Sequence, residues 1–470
     1  MIELQQDETN DIRWEQDYFE YPYVSKYILL IFCSYVLIWY LQVGTRINAL
    51  GAIRIELIVA SILIPLAFTT HSKSNTKIQS PLLSAIVVYF LLLFIMTLFS
   101  YDFDRSWNVF FNRIIKFSFM AIFITCFVKS PNGMRFFIAA FMLACMKMGQ
   151  EGLVGQITGG LVWQNQGVMR LHGATMMYRH PNSFSGMALG TVPFILYLYP
   201  IVNKWCKALL LMQLVFALNI ILHTGSRTGY IGFFGILLIS FLRSQHKLKV
   251  ILFLLVTIIP ISNFIPEQYK ARFQSIYKSS HAEDTTEDNE SLHGGDSSKA
   301  KRIQILTDAV EIFITHPCGI GVSAFPSIRN DVFGRKQDTH NLYLEIATNV
   351  GIQGIIIIVV VLYKLFRTLF NCRKELLVDI KIMQSFKGKI SNDILEKKTL
   401  LHSKDVQFLI AICDSVILFV ALRLFLGLFG MDLYEIYWWF AFGLTLSVSS
   451  MLNRIHYRTS FLEKAYLENN

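Results

Sequence analysis

The sequence contains few charged residues for its length. Asp, Glu, Lys and Arg make up 16% of the 470 residues, whereas soluble proteins are typically about 25% charged. Hydrophobic residues make up 53%, and the mean hydropathy is +0.45. Apolar runs of about 20 residues, the length that crosses a bilayer, recur along the chain. The composition excludes an ordinary soluble protein and predicts an all-α, polytopic integral membrane protein.

The sequence also lacks the usual motifs of metal sites and disulfide frameworks. Its seven cysteines are scattered without a CxxC pair, and only Cys318 falls in a large predicted outer loop. No HExxH motif occurs in an outer segment that we expect to be ordered. The first 20 residues are polar and acidic, unlike a cleavable signal peptide. We expect neither a metal centre nor a disulfide scaffold.

Twelve candidate spans alternate with short loops of contrasting charge. Loops such as RSQHKLK (243–249) and NRIHYR (453–458) are basic, whereas YDFDRSW (101–107) and GMDLYEI (430–436) are poor in basic residues. The positive-inside rule therefore places both termini in the cytoplasm. The same rule accounts for the net charge of +10 without nucleic acid. The spans lie near 26–43, 51–70, 81–100, 108–128, 133–150, 184–202, 205–222, 228–242, 249–265, 343–367, 406–428 and 434–452.

This orientation predicts the organisation of the chain. A cytoplasmic tail (1–25) precedes spans one to nine (26–265), and a large outer loop follows at 266–342. Spans ten to twelve occupy 343–452, with a basic cytoplasmic loop of eight Lys or Arg at 368–404, before a cytoplasmic tail at 453–470. The basic loop suits anionic headgroups of the inner leaflet.

The large outer loop divides into two unlike parts. Its acidic, Ser-rich piece (281–296) lacks apolar residues and is expected to be mobile. An amphipathic helix follows, capped by Asp296 or Ser297 and ending at His316, and it lies either on the membrane surface or against its own domain. The apolar face of this predicted helix consists of Ile303, Leu306, Val310 and Phe313.

Ionisable residues cluster at three predicted outer ends of spans. Arg170 and Arg179 precede the sixth span, Arg227 begins the eighth, and His340 precedes the tenth. Ionisable groups near a membrane usually face a cavity or a partner, and converging arginines suit a phosphate or diphosphate. The alternative for each arginine alone is a snorkelling side chain, and for His340 alone it is a helix cap or a packed histidine.

Read in order, these clusters resemble one family. RLHGATMMYRHPNSFSGMAL (170–189), SRTGYIGF (226–233), THPCGIGVSAF (315–325) and THNLYLEIATNVGIQG (339–354) resemble the sequence blocks of the O-antigen ligase and O-antigen polymerase superfamily. Their order, their spacing and the large outer loop before the last two blocks also match. The resemblance covers roughly residues 165–365.

The resemblance implies a membrane glycosyltransferase with the GT-C architecture in the bacterial inner membrane. Such an enzyme takes a glycan from an undecaprenyl diphosphate carrier at the periplasmic face. Its acceptor is lipid A-core in a ligase, a growing glycan in a polymerase, or a protein in related members. The sequence does not distinguish these acceptors.

The resemblance also assigns roles to residues. Arg227 and Arg170 would hold the diphosphate, His340 would be the catalytic residue, and no metal or other cofactor is expected. Family members often carry an acidic residue where this chain has Asn349, and Glu345, one turn earlier, is the expected substitute. The remaining expected substrate-binding residues are Arg179, His180, Asn182, Ser226 and Asn341.

A secondary transporter or lipid-linked glycan flippase is the alternative. Twelve spans with both ends inside are common in transporters. Against this, the two halves show no internal repeat. Charge within the spans is also sparse, with Asp414 and Arg423 as the main candidates.

Overall fold

The computed structural model describes residues 21, 24–73, 80–165, 168–243, 293–385, 393–430 and 433–468. The helices of its first half are α1 Lys26–Tyr40, α2 Val43–Arg46, α3 Asn48–Ala52, α4 Ile55–Lys73, α5 Pro81–Leu98, α6 Phe103–Val109, α7 Lys116–Phe127, α8 Pro131–Ile157, α9 Pro181–Leu198, α10 Lys204–His223 and α11 Arg227–Arg243. The helices of its second half are α12 His293–Thr315, α13 Phe325–Phe333, α14 Leu342–Ser385, α15 Asp393–Leu426 and α16 Ile436–Glu468. A π-helical stretch, Phe110–Ile115, joins α6 to α7.

The starts of several helices follow from capping residues in the sequence. Ser80 and Ser130 each accept a hydrogen bond from a backbone N–H of the first turn, and each is followed by a proline at the first helical position. Proline fits there because that N–H has no partner within the helix.

The core is apolar and rich in aromatic rings. Phe440 of α16 lies 4.7 Å from Phe141, 5.7 Å from Phe137, 5.9 Å from Phe194 and 5.8 Å from Phe419, measured between ring centroids. These rings come from α8, α9, α15 and α16, so the same cluster joins helices that are distant in sequence.

The helices confirm a polytopic membrane protein. Eleven of the twelve predicted spans coincide with helices, and the ninth (249–265) lies outside the described residues. Twelve spans therefore stays a prediction. Within the described residues, six helical segments are long and apolar enough to cross a bilayer, namely Pro81–Leu98, Phe103–Phe127, Pro131–Ile157, Lys204–His223, Leu342–Ser385 and Leu395–Leu426. The shorter apolar helices are Lys26–Tyr40, Ile55–Thr70 and Arg227–Leu242.

A small β-hairpin departs from the all-α prediction. Strands β1 (Val162–Asn165) and β2 (Val168–Leu171) pair antiparallel, with Trp163 opposite Arg170. Four-residue strands are too short to produce a recognisable alternation in the sequence. The hairpin places Arg170 on β2.

The outer helix α12 exists, and a second set of apolar residues beside the predicted face is buried. Ile305, Ala309 and Ile312 are buried against α13, whereas the predicted face is largely exposed, with Ile303 at 60% and Leu306 at 51%. The helix therefore packs on its own domain through a face beside the predicted one, and contact of the exposed face with the membrane surface stays a prediction. It ends at Thr315 as predicted, but it begins at His293, so neither Asp296 nor Ser297 is its cap. Most of the acidic piece lies outside the described residues.

A Pro- and Gly-rich turn packs against a break in α14. Gly351 has φ 75° and ψ −167°, which interrupts the helix. The N–H of Ile320 donates to the Thr348 carbonyl (3.0 Å). A Cβ at Gly319 would lie 2.6 Å from the Val350 carbonyl carbon, so glycine allows the two backbones to touch.

The basic segment 368–404 is helical where it is described. Helix α14 continues to Ser385, and α15 starts at Asp393. The short connection between them lies outside the described residues.

Candidate active site

His340 sits in the turn that leads into α14. Its φ of 49° is unusual for a residue with a side chain. The next residue, Asn341, caps α14 by accepting from the N–H groups of Tyr343 (2.9 Å) and Leu344 (3.1 Å), and its amide donates to the Leu428 carbonyl (3.0 Å). Asn341 therefore has a structural role that fixes the His340 backbone between α14 and the end of α15.

His340 faces a cavity of about 1540 Å³. Residues from the first, middle and last thirds of the chain line this cavity. Those nearest in sequence to the predicted site are His180, Asn182, Thr228, Asp338, His340 and Glu345. The cavity is large enough for sugar units and a lipid-linked headgroup.

The surroundings of His340 favour its neutral form. Burial lowers the pKa of His340, Asp338 opposes this effect, and Arg302 and Arg329 add to it. Burial likewise raises the pKa of Asp338, while Arg105, at 3.5 Å, counteracts the rise. A neutral imidazole can accept a proton, so His340 has the charge state of a general base.

Arg170 joins the hairpin to two other elements. It is buried, its Nε donates to the Thr224 carbonyl (2.7 Å), and its Nη2 donates to Asn182 Oδ1 (2.7 Å). Asn182 belongs to the first turn of α9, and Thr224 lies just before Ser226 and Arg227. Arg170 therefore fixes the turn from which Arg227 projects.

Ser226 and Arg227 form the start of α11. The Ser226 hydroxyl accepts from the Gly229 N–H (3.1 Å), which makes Ser226 a helix cap. Arg227 is exposed at the helix N-terminus. A helix N-terminus adds a partial positive charge to that of the guanidinium, a combination that favours an anion.

His180 connects the arginine cluster with His340. Its Nδ1 accepts from the Asn182 N–H (3.2 Å), and its side chain lines the cavity. Burial lowers the pKa of His180, and the charges of Arg170 and His340 lower it further. Arg179, by contrast, is exposed and does not line the cavity.

The segment that contains Arg227 and His340 is similar to a known protein family. Residues 212–359 match the family model described as O-antigen ligase. The match confirms, over that range, the resemblance predicted from the sequence. Arg170, His180 and Asn182 precede it, and the structure brings them against it. No curated protein matches the chain.

The matched segment contains a buried acid, Glu345, at the expected alternative position. Glu345 lines the cavity, and its Oε2 accepts from the Leu433 N–H (3.2 Å). Asn349 instead accepts from the Phe325 N–H (3.2 Å) and holds the Pro- and Gly-rich turn. Glu345 therefore places a carboxylate in the cavity wall, its substitution for the family's acidic residue stays a prediction, and Asn349 has a structural role.

Two cavity residues were missed in the sequence. Asp338 lies two residues before His340, and Arg105 binds it while donating from Nε to the Ser323 carbonyl (2.7 Å). Asp338 could have been recognised from the sequence as an acidic residue close to His340 and Asn341. Arg105 gave no comparable signal, because its partners are more than 200 residues away in sequence.

The intramembrane charges considered for a transporter have local partners. Asp414 pairs with Arg373 at 2.8 Å. Arg423 donates to the Gly186 carbonyl (2.9 Å), lies over the Tyr437 ring at 3.4 Å and lines the same cavity. Arg423 thus contributes positive charge to the wall of the candidate site.

Proposed function

We propose that this protein transfers a glycan from undecaprenyl diphosphate to an acceptor hydroxyl at the periplasmic face of the bacterial inner membrane. The observation that carries this proposal is that the O-antigen ligase match spans both Arg227 and His340, with His340 opening into a large cavity. The acceptor is lipid A-core or a growing glycan. A lipid-linked donor requires a reaction centre at the membrane interface, where its lipid remains in the bilayer.

The reaction needs a base and a stabilised leaving group. Neutral His340 removes the proton of the acceptor hydroxyl as its oxygen attacks the anomeric carbon. The bond from that carbon to the diphosphate oxygen breaks, and the electron pair remains on undecaprenyl diphosphate. The attack comes from the side opposite the leaving group, so the configuration inverts. No metal is required in this scheme, because arginines supply the positive charge.

Arg227 and Arg170 stabilise the developing negative charge in different ways. Arg227, exposed at the start of α11, contacts the departing diphosphate through its guanidinium fork. Arg170 is buried and bonded to Thr224 and Asn182, so it acts by holding the Arg227 turn and by adding its charge to the local field. His180 and Asn182 line the cavity that contains His340, which neither Arg170 nor Arg227 lines, and Asn182 is bonded to Arg170.

Transfer is tested with purified protein in nanodiscs that contain lipid-linked glycan and lipid A-core. We expect His340→Ala to lower kcat by at least about 100-fold, the scale of general-base catalysis. His316→Ala is the matched control, because His316 is an exposed histidine of the same outer region that does not line the cavity. Full activity of His340→Ala would contradict the proposed role of His340 as the general base.

The role of Arg227 is tested by comparing two replacements. Arg227→Ala removes charge and fork, whereas Arg227→Lys keeps a point charge. We expect Ala to lose most transfer and Lys to retain an intermediate rate. Equal rates for wild type and both variants would exclude a diphosphate contact.

A further inference from the structure

A ladder of polar side chains follows one face of α6 and α7. Lys116 Nζ donates to Asn112 Oδ1 (2.7 Å), and Asn112 Nδ2 donates to Asn108 Oδ1 (3.1 Å). All three residues line the cavity that contains His340. The π-helical stretch Phe110–Ile115 lies within the ladder, and such irregular turns frequently occur at functional sites.

Lys116 lies deep along a candidate membrane span. Phe103–Phe127 is one of the segments long and apolar enough to cross a bilayer, and Lys116 lies roughly 20 Å along its axis from Phe103. An ammonium at such depth is costly unless it faces a cavity and an anionic partner. Its location in the cavity wall satisfies the first condition.

Within the described residues no carboxylate forms an ion pair with Lys116, although Glu56 and Asp104 also line the cavity. Arg105 and Arg113 line the same cavity, but they pair with Asp338 (3.5 Å) and Glu435 (3.0 Å). Arg54, just before α4, also lines the cavity, and within the described ranges no ion pair involves Arg54 or Lys116. These two cations therefore favour an anionic ligand. We name Arg54, Asn108, Asn112 and Lys116 the polar lobe.

Apolar side chains adjoin the polar lobe. Leu57, Ala60 and Ile64 of α4 and Trp39 of α1 line the same cavity. A ligand that fits both surfaces combines an anionic group and hydroxyls with a lipid chain. The polar lobe comes from the residue before α4, from α6 and α7 and from the π-helical stretch between them, whereas Arg170 lies on β2 and Arg227 begins α11.

We propose that the polar lobe binds the phosphate of the lipid-anchored acceptor, so that the acceptor glycan extends towards His340 in the same cavity. This inference rests on the proposed function, in which Arg227 holds the donor diphosphate. A lipid-attached phosphate occurs both on lipid A-core and on a second lipid diphosphate-linked glycan. Separate assays with each acceptor distinguish the two sources.

The test compares Lys116→Gln, Lys116→Arg and the control Lys147→Gln in nanodiscs. Lys147 lies on a different span, pairs with Glu151 (3.6 Å) and does not line the cavity. Transfer is measured while the acceptor and the donor are varied in turn, and lipid A-core is used both phosphorylated and after enzymatic removal of its phosphates. Binding of each acceptor form to the nanodiscs is measured in parallel, without donor.

We expect Lys116→Gln to raise the acceptor KM about 10-fold or more, because the variant loses one charge-assisted hydrogen bond to the acceptor phosphate. Its donor KM should stay unchanged, and it should bind phosphorylated and dephosphorylated acceptor equally. Lys116→Arg should retain discrimination between the acceptor forms, as should Lys147→Gln. A change confined to the donor KM, or wild-type discrimination by Lys116→Gln, would overturn the acceptor site.

The binding measurement separates the two proposals. Wild-type protein that transfers no glycan but binds phosphorylated acceptor through Lys116 would contradict the proposed function alone. Transfer with normal acceptor KM in Lys116→Gln would contradict this inference alone.

Discussion

The backbone contact between Gly351 and the Pro- and Gly-rich turn allows a quantitative prediction of stability. In Gly351→Ala, the new Cβ would lie 2.6 Å from both the Gly319 nitrogen and the Pro317 oxygen. These are backbone atoms and cannot rotate away. The backbone at Gly351 (φ 75°, ψ −167°) adds about 1–3 kcal/mol for a residue with a side chain, and overpacking adds about 1–3 kcal/mol. Together these contributions give an expected loss of about 2–6 kcal/mol in the free energy of unfolding.

Two glycines provide controls that separate these costs. Gly334 has φ 66° and open space where a Cβ would lie, so Gly334→Ala should cost only about 1–2 kcal/mol. Gly235 has neither constraint, and in a helix Gly235→Ala should be neutral or stabilising by up to about 1 kcal/mol. SDS-induced unfolding in mixed micelles measures all three variants. Equal losses for Gly351→Ala and Gly334→Ala would refute the backbone contact.

Two further predictions concern the pH profile and the outer domain. Because burial lowers the pKa of His340, kcat/KM should stay constant near neutral pH and decrease only below about pH 6.5, the ordinary pKa of histidine. If this decrease at acidic pH is absent in His180→Gln, the titrating group is His180 instead. Arg329→Met should cost about 3 kcal/mol in an unfolding assay, because it leaves the buried Asp308 carboxylate without its 2.8 Å partner. Arg335→Met, at a half-exposed arginine 3.4 Å from Asp308, should cost at most about 1 kcal/mol, and equal effects of the two variants would contradict the assigned burial.

The sequence predicted features that depend on local pattern. Long apolar runs located the helices, and the blocks around Arg227 and His340 located the segment matched by the O-antigen ligase family. The hairpin carrying Arg170 was missed because its strands are only four residues long. The face of α12 that packs on the outer domain was not predicted, because two neighbouring faces carry apolar residues and the sequence does not show which of them contacts α13.

Contacts between distant residues account for what the sequence could not predict at the site. Asn341 and Ser226 cap helices because of the local backbone geometry, which cannot be read from the sequence, although both residue types commonly cap helices. The ion pair between Arg105 and Asp338 joins two segments separated by most of the chain. Lys116 carried a usable signal, a lysine within a candidate span, which becomes meaningful once the cavity is known.

The break at Gly351 divides α14 into pieces with different attachments. The piece before it follows His340 and is bonded to the Pro- and Gly-rich turn, and the N–H of Leu342 donates to the Gly427 carbonyl (2.7 Å). The piece after it continues as a long apolar span. An exchange of outer segments between related enzymes should therefore place its junction at the break and move residues 293–350 together. A junction at the start of α14 would separate His340 and the Pro- and Gly-rich turn from residues 342–350, to which the turn is bonded.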